Sequence, residues 1–457
     1  MGKKSKRRNP SSSIQEQGPP ATRSPRVREE ETKENLHFED PFEDVFEEED
    51  LDGDEQGAEG DEEEMESLGD VRILNPYIPM EGELEMNPEG YKMYHGLAGE
   101  WPSMSLDFIH DTWGDGRIRF PHQLLAVVGT CAPQPQQNSV QVWKLSDLGK
   151  IDNEKDDDDE EGAYDEDDDS DSDVDYEPVL ENYSLNHYGC VNRLRVHKTI
   201  VSSWSESGKV HLYNIDVEGL CQETMVVPSN KKPFFTYSSH STEGYGMDFS
   251  KEGALATGDN DGAIHIWSMG ENISATPMYS SDNSVEDIQW SPTESTVLAA
   301  AESGGCVKIY DTRAPKIAML TQTISNSDIN GVAWNKIVTS LLATGCDDGT
   351  LEVWDLRKFS EKQALARFTS HTTPISSLQW HPTDESMLVV SDDVGSFVYD
   401  LSVEADDTVG NSEIPPQLLF VHSGSPQTKE VRWHPQISSC LMSTAANGFS
   451  VFIPSNL

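Results

Sequence analysis

Histidine and aspartate side chains recur at matching positions in the second half of this chain. His381 and His434 each stand between a Trp and a Pro, and His371 shortly precedes one of these segments. Aspartates recur in short glycine-containing stretches, namely Asp259, Asp261, Asp347 and Asp348. Because carboxylates in turns bond local backbone, and because the histidines repeat at a strand-end position, we expect structural roles for both sets.

Motifs of the common enzyme classes are absent from the sequence. It has no Gly-rich phosphate loop, nucleophile elbow or HExxH metal motif, and hydroxyls such as Ser284 and Ser327 have no identifiable base. The cysteines are scattered at positions 131, 190, 221, 306, 346 and 440, without C-x-x-C or zinc spacing. We therefore predict a protein that is not an enzyme and uses no metal or cofactor. Its thiols are expected to stay reduced, and no apolar run predicts a membrane span.

Acidic residues dominate the charge, which is -49 at pH 7. Residues 29–67 hold 21 acidic side chains and one Lys, and residues 154–177 hold 16 and one Lys. This balance argues against a nucleic-acid-binding surface, because phosphates require cationic side chains. A strong negative field attracts cationic partners instead. The alternative is that the acid only keeps the protein soluble.

Aromatic side chains lie within both acidic runs and could act as apolar anchors for a cationic partner. They are Phe38, Phe42 and Phe46 in the first run, and Tyr164 and Tyr176 in the second. Ser170 and Ser172 each have an acidic residue three positions later, so we predict phosphorylation that deepens the negative charge.

The first residues are basic rather than acidic. A short cluster of the kind that directs nuclear import contains Lys3, Lys4, Lys6, Arg7 and Arg8. We therefore predict a nuclear location.

A repeated pattern from about residue 100 onward predicts an all-β fold. Four segments end in Trp290, Trp334, Trp380 and Trp433, and a glycine follows each Trp after 15 residues. Aromatic strand ends then recur at positions 143, 213, 267, 310, 354, 399 and 452. Periods near 40–45 residues with Trp-Asp endings are typical of WD-repeat propellers. Seven copies predict seven blades over residues 101–457.

Closure of this ring leaves one strand to assign. The chain stops five residues after Phe452, so an N-terminal segment must supply the outer strand of the last blade. Trp101–Phe108 is a candidate for that strand, and equally for the inner strand of the first blade. The long first period predicts a disordered acidic insertion at residues 150–178, in blade one or between blades one and two.

The segment before the ring is predicted to be a tail followed by a helix. Residues 1–78 read as a disordered basic and then acidic tail. Residues 79–100 read as a helical arm, because Leu84, Tyr91, Tyr94 and Leu97 fall near 3.6-residue spacing over Glu83–Leu97. Pro88 limits this helix to a start or a break there.

Two strand ends carry an arginine two residues after an aspartate. They read Trp354-Asp355-Leu356-Arg357 and Tyr310-Asp311-Thr312-Arg313. Both are similar to the W-D-x-R box with which some propellers dock on a cullin ligase adaptor. Arg313 and Arg357 would be the contact residues, since guanidinium groups bind carboxylates bidentately.

Two segments resemble the retinoblastoma-binding, histone-binding WD-repeat family. One is the run Ile414 to His422 with its Pro-Pro pair, followed by Val431 to Pro435, and the other is Glu100-Trp101-Pro102-Ser103. The acidic tail and loop are similar to the glutamate-rich branch of that family. The resemblance covers roughly residues 80–457.

This resemblance implies a propeller whose N-terminal helix and late acidic loop form a groove for a histone helix. The acidic lip would be Glu404, Asp406, Asp407 and Glu413. Its apolar neighbours would be Pro415, Pro416, Leu418 and Leu419, and the facing side would be Leu84, Tyr91 and Tyr94. The glutamate-rich branch also implies ribosome assembly and escort of a basic large-subunit ribosomal protein.

The sequence thus predicts a chaperone of basic nuclear proteins, which are histones, a large-subunit ribosomal protein or pre-ribosomal particles. It would act as a monomer within larger complexes, without sequence-specific nucleic-acid binding. The alternatives are a substrate receptor of a cullin-type ligase and a plain assembly scaffold.

Overall fold

The computed structural model of the chain describes residues 87–151, 177–270, 272–314, 316–404 and 414–457. These residues form seven four-stranded antiparallel sheets arranged as the blades of a propeller. The predicted seven-bladed WD-repeat fold is therefore confirmed. In the described ranges, no helix is long and apolar enough to span a membrane.

The strands are numbered in chain order, and β1 is Tyr91–Leu97. Blades 1 and 2 contain β2 (Leu106–Ile109), β3 (His122–Gly129), β4 (Ser139–Leu148), β5 (Val179–Asn186), β6 (Val191–His197), β7 (Ile200–Ser205), β8 (Val210–Asn214) and β9 (Phe235–Tyr237). Blades 3 and 4 contain β10 (Gly244–Phe249), β11 (Leu255–Asp259), β12 (Ala263–Ser268), β13 (Ser274–Ser280), β14 (Val285–Trp290), β15 (Val297–Glu302), β16 (Cys306–Asp311) and β17 (Ala318–Thr323).

Blades 5 and 6 contain β18 (Ile329–Trp334), β19 (Leu341–Cys346), β20 (Leu351–Asp355), β21 (Ala366–Phe368), β22 (Ser377–Trp380), β23 (Met387–Ser391), β24 (Gly395–Asp400) and β25 (Leu418–Ser423). Blade 7 contains β26 (Glu430–Trp433), β27 (Leu441–Ala445) and β28 (Gly448–Pro454), with β1 as its outer strand. The described helical turns are α1 (Val217–Leu220) and the 3-10 turns Pro88–Gly90, Pro135–Gln137 and Phe359–Glu361.

The strict spacing between Trp and Gly has a physical cause in this fold. Each repeat Trp ends an inner strand, and each Gly either lies in the turn before the third strand of the same blade or is the first residue of that strand. A Cβ atom on Gly305 or Gly349 would lie 1.9 or 2.4 Å from a backbone carbonyl oxygen that follows the outer strand. Both glycines also have positive φ, of 70° and 78°. Only glycine fits such a turn, so the spacing is fixed by sterics.

Three of the four repeat tryptophans also join neighbouring blades. The indole N–H groups of Trp290, Trp380 and Trp433 donate to backbone carbonyls of the preceding inner strand, at 3.0–3.2 Å. The tryptophan at the end of the inner strand thus satisfies a polar group on the preceding blade, while its own ring is buried.

The predicted helix is wrong over Tyr91–Leu97, which form strand β1. Tyr91 and Met93 are buried while Lys92 is exposed, which is the alternation of a strand. Pro88 lies in the short turn that leads into this strand. The strand is required because β1 pairs with β28 and covers the open edge of the last blade. Residues 79–86 of the predicted arm, including Leu84, lie outside the described residues.

The structure also decides the role of the segment Trp101–Phe108, for which the sequence allowed two positions in the ring. Strand Leu106–Ile109 overlaps the candidate segment Trp101–Phe108 and ends one residue beyond it. This strand is the inner strand of blade 1. The acidic insertion lies within blade 1, between β4 and β5, because the described chain breaks after Ile151 and resumes at Glu177. The acidic segment itself, residues 152–176, lies outside the described residues.

The expectation of six free thiols is wrong for one pair. Cys131 follows β3 of blade 1 and Cys190 precedes β6 of blade 2, and the two form a disulfide. The two cysteines are 59 residues apart in the sequence, and this spacing did not predict a disulfide because the bond joins two different blades. The other four cysteines are free.

Side chains close the ring along its axis. The inner strands face the axial channel with one edge unpaired, so their backbone N–H groups need other acceptors. Side-chain oxygens of the preceding blade accept from these N–H groups at five junctions, in the pairs Asp107–Val196, Asp248–Trp290, Asp287–Val332, Ser377–Val431 and Glu430–Leu106. At the remaining two junctions a side chain donates to a carbonyl, in the pairs Arg193–Tyr245 and Asn330–Ile375.

Glu430 lies at the junction where the last blade meets the first. Its carboxylate accepts from Leu106 N at 2.8 Å and from Ser105 Oγ at 2.6 Å. Its other oxygen lies 2.9 Å from Arg195 and 3.3 Å from Arg193 of blade 2. Burial alone would raise the Glu430 pKa, but the neighbouring guanidinium groups lower it to about 2.

The variant Glu430→Gln should destabilise the whole ring. The amide oxygen can still accept hydrogen bonds, but Arg193 and Arg195 lose a buried counter-charge. Breaking a buried pair on one side costs about 3–5 kcal/mol. Urea unfolding followed by tryptophan fluorescence measures the loss of unfolding free energy.

The control for this measurement is Asp393→Asn, which removes a more exposed ion pair with Lys429 at 3.0 Å. We expect a loss below about 1 kcal/mol for that variant. Equal losses for Glu430→Gln and Asp393→Asn would contradict the closure role of Glu430.

Candidate binding cleft

A cleft opens on the side of the ring between the outer strands of blades 6 and 7. This side cleft has a volume of about 710 Å³, and its walls are β1 on one side and Phe420–Ser423 of β25 on the other. The start of β28, including Phe449 and Ser450, forms its floor. Two outer strands flank the opening because each belongs to a different blade and neither pairs with the other.

Aromatic rings make up the core of the side cleft. The Tyr91 ring lies 5.4 Å from Tyr94 and 5.2 Å, edge-on, from Phe420. His422 stacks on Phe452 at 4.2 Å. None of the lining side chains is an acid or a base of Asp, Glu, Lys or Arg type. The cleft can therefore bury apolar side chains of a partner, but the described lining supplies no ionic contact.

His422 is neutral at physiological pH. Burial lowers its pKa to about 4, and its Nδ1 atom lies 2.8 Å from the Tyr91 hydroxyl. Burial, with a smaller effect of Tyr94, raises the Tyr91 pKa to about 12. The His422 Nε2 atom is buried without a hydrogen-bond partner among the described residues. The cleft floor is thus uncharged.

Two of the described chain ends, Asn87 and Ile151, lie at or beside this cleft. The described chain begins at Asn87, which lines the cleft just before β1. The backbone N–H of Ile151, where the chain enters the 152–176 segment, donates to the Lys92 carbonyl of β1 at 2.9 Å. Residues 405–413 join β24 to β25, and the side chain of Gln417 bonds the Val403 carbonyl at 2.8 Å beside that gap.

The predicted groove residues fall in several places. Tyr91 and Tyr94 line the side cleft, although they lie on a strand rather than a helix. Glu404 is exposed at the end of the described part of its loop. Pro415 is buried and Pro416 exposed, while Leu418 packs against the core of blade 6 and the Leu419 carbonyl accepts from Asn456. These four residues precede the part of β25 that forms the cleft wall.

Several predicted residues lie outside the described part of the chain. They are Lys3, Lys4, Lys6, Arg7, Arg8, Phe38, Phe42, Phe46, Leu84, Tyr164, Ser170, Ser172, Tyr176, Asp406, Asp407 and Glu413. Their roles stay predictions.

Sequence reasoning missed Phe420, His422 and Phe449 as cleft residues. Phe420 and His422 belong to the very segment that carried the family resemblance. The alternation of side-chain direction along β25 was the available signal. It did not indicate a cleft, because the facing segment β1 was predicted to be a helix.

Arg313 and Arg357 occupy equivalent positions after the third strands of neighbouring blades. Each guanidinium bonds the aspartate two residues before it, with the shortest contact at 2.6 Å. The arginine side chains are 70% and 75% exposed. The aspartates therefore orient the two arginines on the surface without burying them.

The recurring histidines and aspartates are structural, as predicted. His381 Nδ1 accepts from Asp384 N, and His434 Nδ1 accepts from Ile437 N, each at 2.9 Å. Asp259 bonds His240 at 2.8 Å in a fully buried pair. These groups stabilise turns and blade interiors.

Seven four-stranded blades with these internal contacts define the chain as a WD-repeat β-propeller. Models of three families match parts of it. They are described as histone-binding protein RBBP4 or a subunit of the CAF1 complex (residues 81–148), WD domain, G-beta repeat (231–268) and eukaryotic translation initiation factor eIF2A (251–393).

Curated relatives extend over nearly the whole chain. The glutamate-rich WD repeat-containing protein 1 of Dictyostelium discoideum is 37% identical over 93% of this chain and 95% of its own. The ribosome assembly protein rrb1 of Schizosaccharomyces pombe is 34% identical over 91% and 92%. The histone-binding protein MSI1 of Saccharomyces cerevisiae is 21% identical over 79% and 90%. The chain belongs to the family of glutamate-rich WD repeat-containing proteins.

Stability should fall as the pH drops from 6.5 towards 4. His422 has a folded-state pKa of about 4, below its unfolded value, so the unfolded chain binds the proton first. Its stabilising effect is complete above pH 6.5 and is lost as the pH falls, at about 1.4 kcal/mol per pH unit. Burial also lowers the pKa of His122, His211 and His265 to about 4, so the wild-type slope contains several such contributions.

The variant His422→Gln isolates one of these contributions. Urea unfolding at pH 6.5, 5.5 and 4.5 should give a slope smaller by about one proton than in the wild type. An unchanged slope would show that His422 is protonated in the folded protein.

Proposed function

We propose that this protein is a non-enzymatic chaperone that binds basic nuclear proteins, with histones and a basic large-subunit ribosomal protein as clients. One observation carries the proposal. The described chain ends Asn87 and Ile151, which lead to the tail and to the 152–176 segment, lie beside a single uncharged, aromatic cleft, and the 405–413 segment leads into β25, which forms one of its walls. The acidic residues would attract a cationic chain, and the cleft would bury its apolar side chains.

The acidic segments and the side cleft would bind a client through different interactions. Residues 152–176 contain 16 acidic residues and one Lys, so their attraction to a client is long-range and weakened by salt. Burial of an apolar side chain between Tyr94 and Phe420 is short-range and insensitive to salt. Together they mask a cationic polypeptide that would otherwise bind nucleic acid.

The comparisons support this choice of clients. The match over residues 81–148 to the model for histone-binding protein RBBP4 or a subunit of the CAF1 complex includes β1, which forms one wall of the cleft. The relative from Schizosaccharomyces pombe is a ribosome assembly protein. We propose a place in ribosome assembly and in nucleosome assembly, in the nucleus and the nucleolus.

Removing the acidic segments should weaken client binding mainly at low salt. Residues 29–67 and 154–176 are replaced by Gly-Ser linkers of equal length, so that blade 1 keeps its connection. Affinity for purified core histones, and separately for a basic large-subunit ribosomal protein, is measured at 50 and 500 mM NaCl. We expect a loss of at least tenfold at the lower salt and less than threefold at the higher. Unchanged affinity for both clients at 50 mM NaCl would contradict the proposal.

The variant Tyr94→Ala tests the cleft separately. We expect about a tenfold loss of affinity that is similar at both salt concentrations, because an apolar contact is lost. The matched control is Tyr188→Ala, which removes a tyrosine that is 53% exposed elsewhere on the ring and should change affinity less than twofold. Equal losses for the two variants would exclude the side cleft as the client site.

A second function is favoured by the two exposed arginines. Arg313 and Arg357 present guanidinium groups at equivalent positions of adjacent blades, as a docking site on a cullin ligase adaptor would require. We propose that they form such a site, which leaves the side cleft free for a client.

The double variant Arg313→Ala/Arg357→Ala should lose the adaptor in affinity capture from cell extract while it keeps histone binding. The control Arg367→Ala removes another partly exposed arginine, which pairs with Glu352 at 3.4 Å. Recovery of the adaptor with the double variant at the wild-type level would exclude this second function.

A further inference from the structure

A second cavity opens at the end of the axial channel, away from the side cleft. Its volume is about 510 Å³. It lies where the inner strands end, and repeat residues such as Trp290, Trp334 and Trp433 form its walls. We call it the channel mouth.

The channel mouth is cationic although the chain is strongly acidic. Five Lys and Arg residues line it against three Asp residues. This local excess contrasts with the charge of -49 on the whole chain. Two of the five cationic residues, Arg195 and Arg432, belong to the inner strands of blades 2 and 7, so the fold of the ring fixes their position.

The carboxylates of the channel mouth already have partners in the ring. Asp107 accepts from Val196 N at 2.8 Å and pairs with Arg432 at 3.1 Å. Asp248 accepts from Trp290 N at 2.8 Å, and Asp287 accepts from Val332 N at 3.2 Å. These carboxylates, together with Glu430, offset the charge of Arg195 and Arg432. The positive charge that has no ion pair in the cavity therefore lies on its lysines.

The lysines of the channel mouth lack such partners. Within the part of the chain that the structure describes, Lys198, Lys251 and Lys336 form no ion pair with a carboxylate. Desolvation in the cavity lowers the Lys336 pKa, and the nearby Arg432 guanidinium lowers it further against the opposing effect of Asp248 and Asp107. A bound anion would relieve this repulsion and supply the counter-charges that are missing.

We propose that the channel mouth binds a small anion that carries several phosphate groups, with Lys198, Lys251 and Lys336 as the phosphate contacts. The volume is that of a small-molecule pocket, and the enclosing strand ends leave no extended surface for a nucleic-acid duplex. Tryptophan walls exclude part of the water around the site, which strengthens ionic contacts there. The proposal does not depend on client binding in the side cleft.

Calorimetric titration of the full-length protein with sodium tripolyphosphate tests this site, in magnesium-free buffer at 50 mM NaCl. We expect saturable binding of one anion per chain. The double variant Lys251→Gln/Lys336→Gln should bind at least tenfold more weakly, with an unchanged thermal unfolding midpoint because neither lysine forms an ion pair with a described carboxylate.

The matched control is Lys232→Gln/Lys358→Gln, which removes the same charge from exposed lysines outside the cavity. Its affinity for tripolyphosphate should stay within twofold of the wild type. The proposal is overturned by absent or non-saturable heat, or by equal losses in the two double variants. It is also overturned if a single-stranded RNA oligonucleotide binds through Lys251 and Lys336 while tripolyphosphate does not.

Discussion

The fold depends on satisfying the free edges of the seven inner strands. Each inner strand has one hydrogen-bonding edge towards the axis, and water cannot fully replace strand partners in a crowded channel. The protein solves this with side chains, since a carboxylate, hydroxyl, amide or guanidinium of one blade bonds the backbone of the next at every junction. Glu430 makes these contacts at the junction of the last and first blades, where residues over 300 positions apart in the sequence must meet.

The same requirement places the candidate binding site. Strands β26, β27 and β28 supply three of the four strands of blade 7, and β1 from the N-terminal side pairs with β28 as the fourth. The described chain that precedes β1 begins at Asn87, which lines the cleft between blades 6 and 7. The Ile151 contact with Lys92 brings the entrance of the second acidic segment to the same strand. Ring closure and the proposed client site therefore share one element, β1.

The ring was predictable because its steric constraints are local and repeated. A glycine that faces a backbone carbonyl, fifteen residues after the tryptophan at the end of the inner strand, marks each of the last four blades in the sequence. Strand β1 is different, because its partner lies at the other end of the chain. Tyr91, Tyr94 and Leu97 fit a helical period as well as a strand, and only pairing with β28 decides between them.

The candidate site was predictable only in part for the same reason. Tyr91 and Tyr94 were identified from the family resemblance, whereas the opposite wall at Phe420 and His422 follows from which two outer strands become neighbours. The disulfide between Cys131 and Cys190 and the cationic channel mouth likewise depend on contacts between blades. Such contacts leave no spacing signal in a single sequence.

The central claim is that a basic client contacts the side cleft while the acidic segments hold it. Site-specific photo-crosslinking tests this most directly, with a benzophenone amino acid in place of Tyr94 or, as a control, of Tyr188. The account predicts a crosslink to core histones from position 94, lost when residues 29–67 and 154–176 are replaced by Gly-Ser linkers at low salt, and none from position 188. Equal crosslinking from both positions, or none from position 94 while histones remain bound, would contradict it.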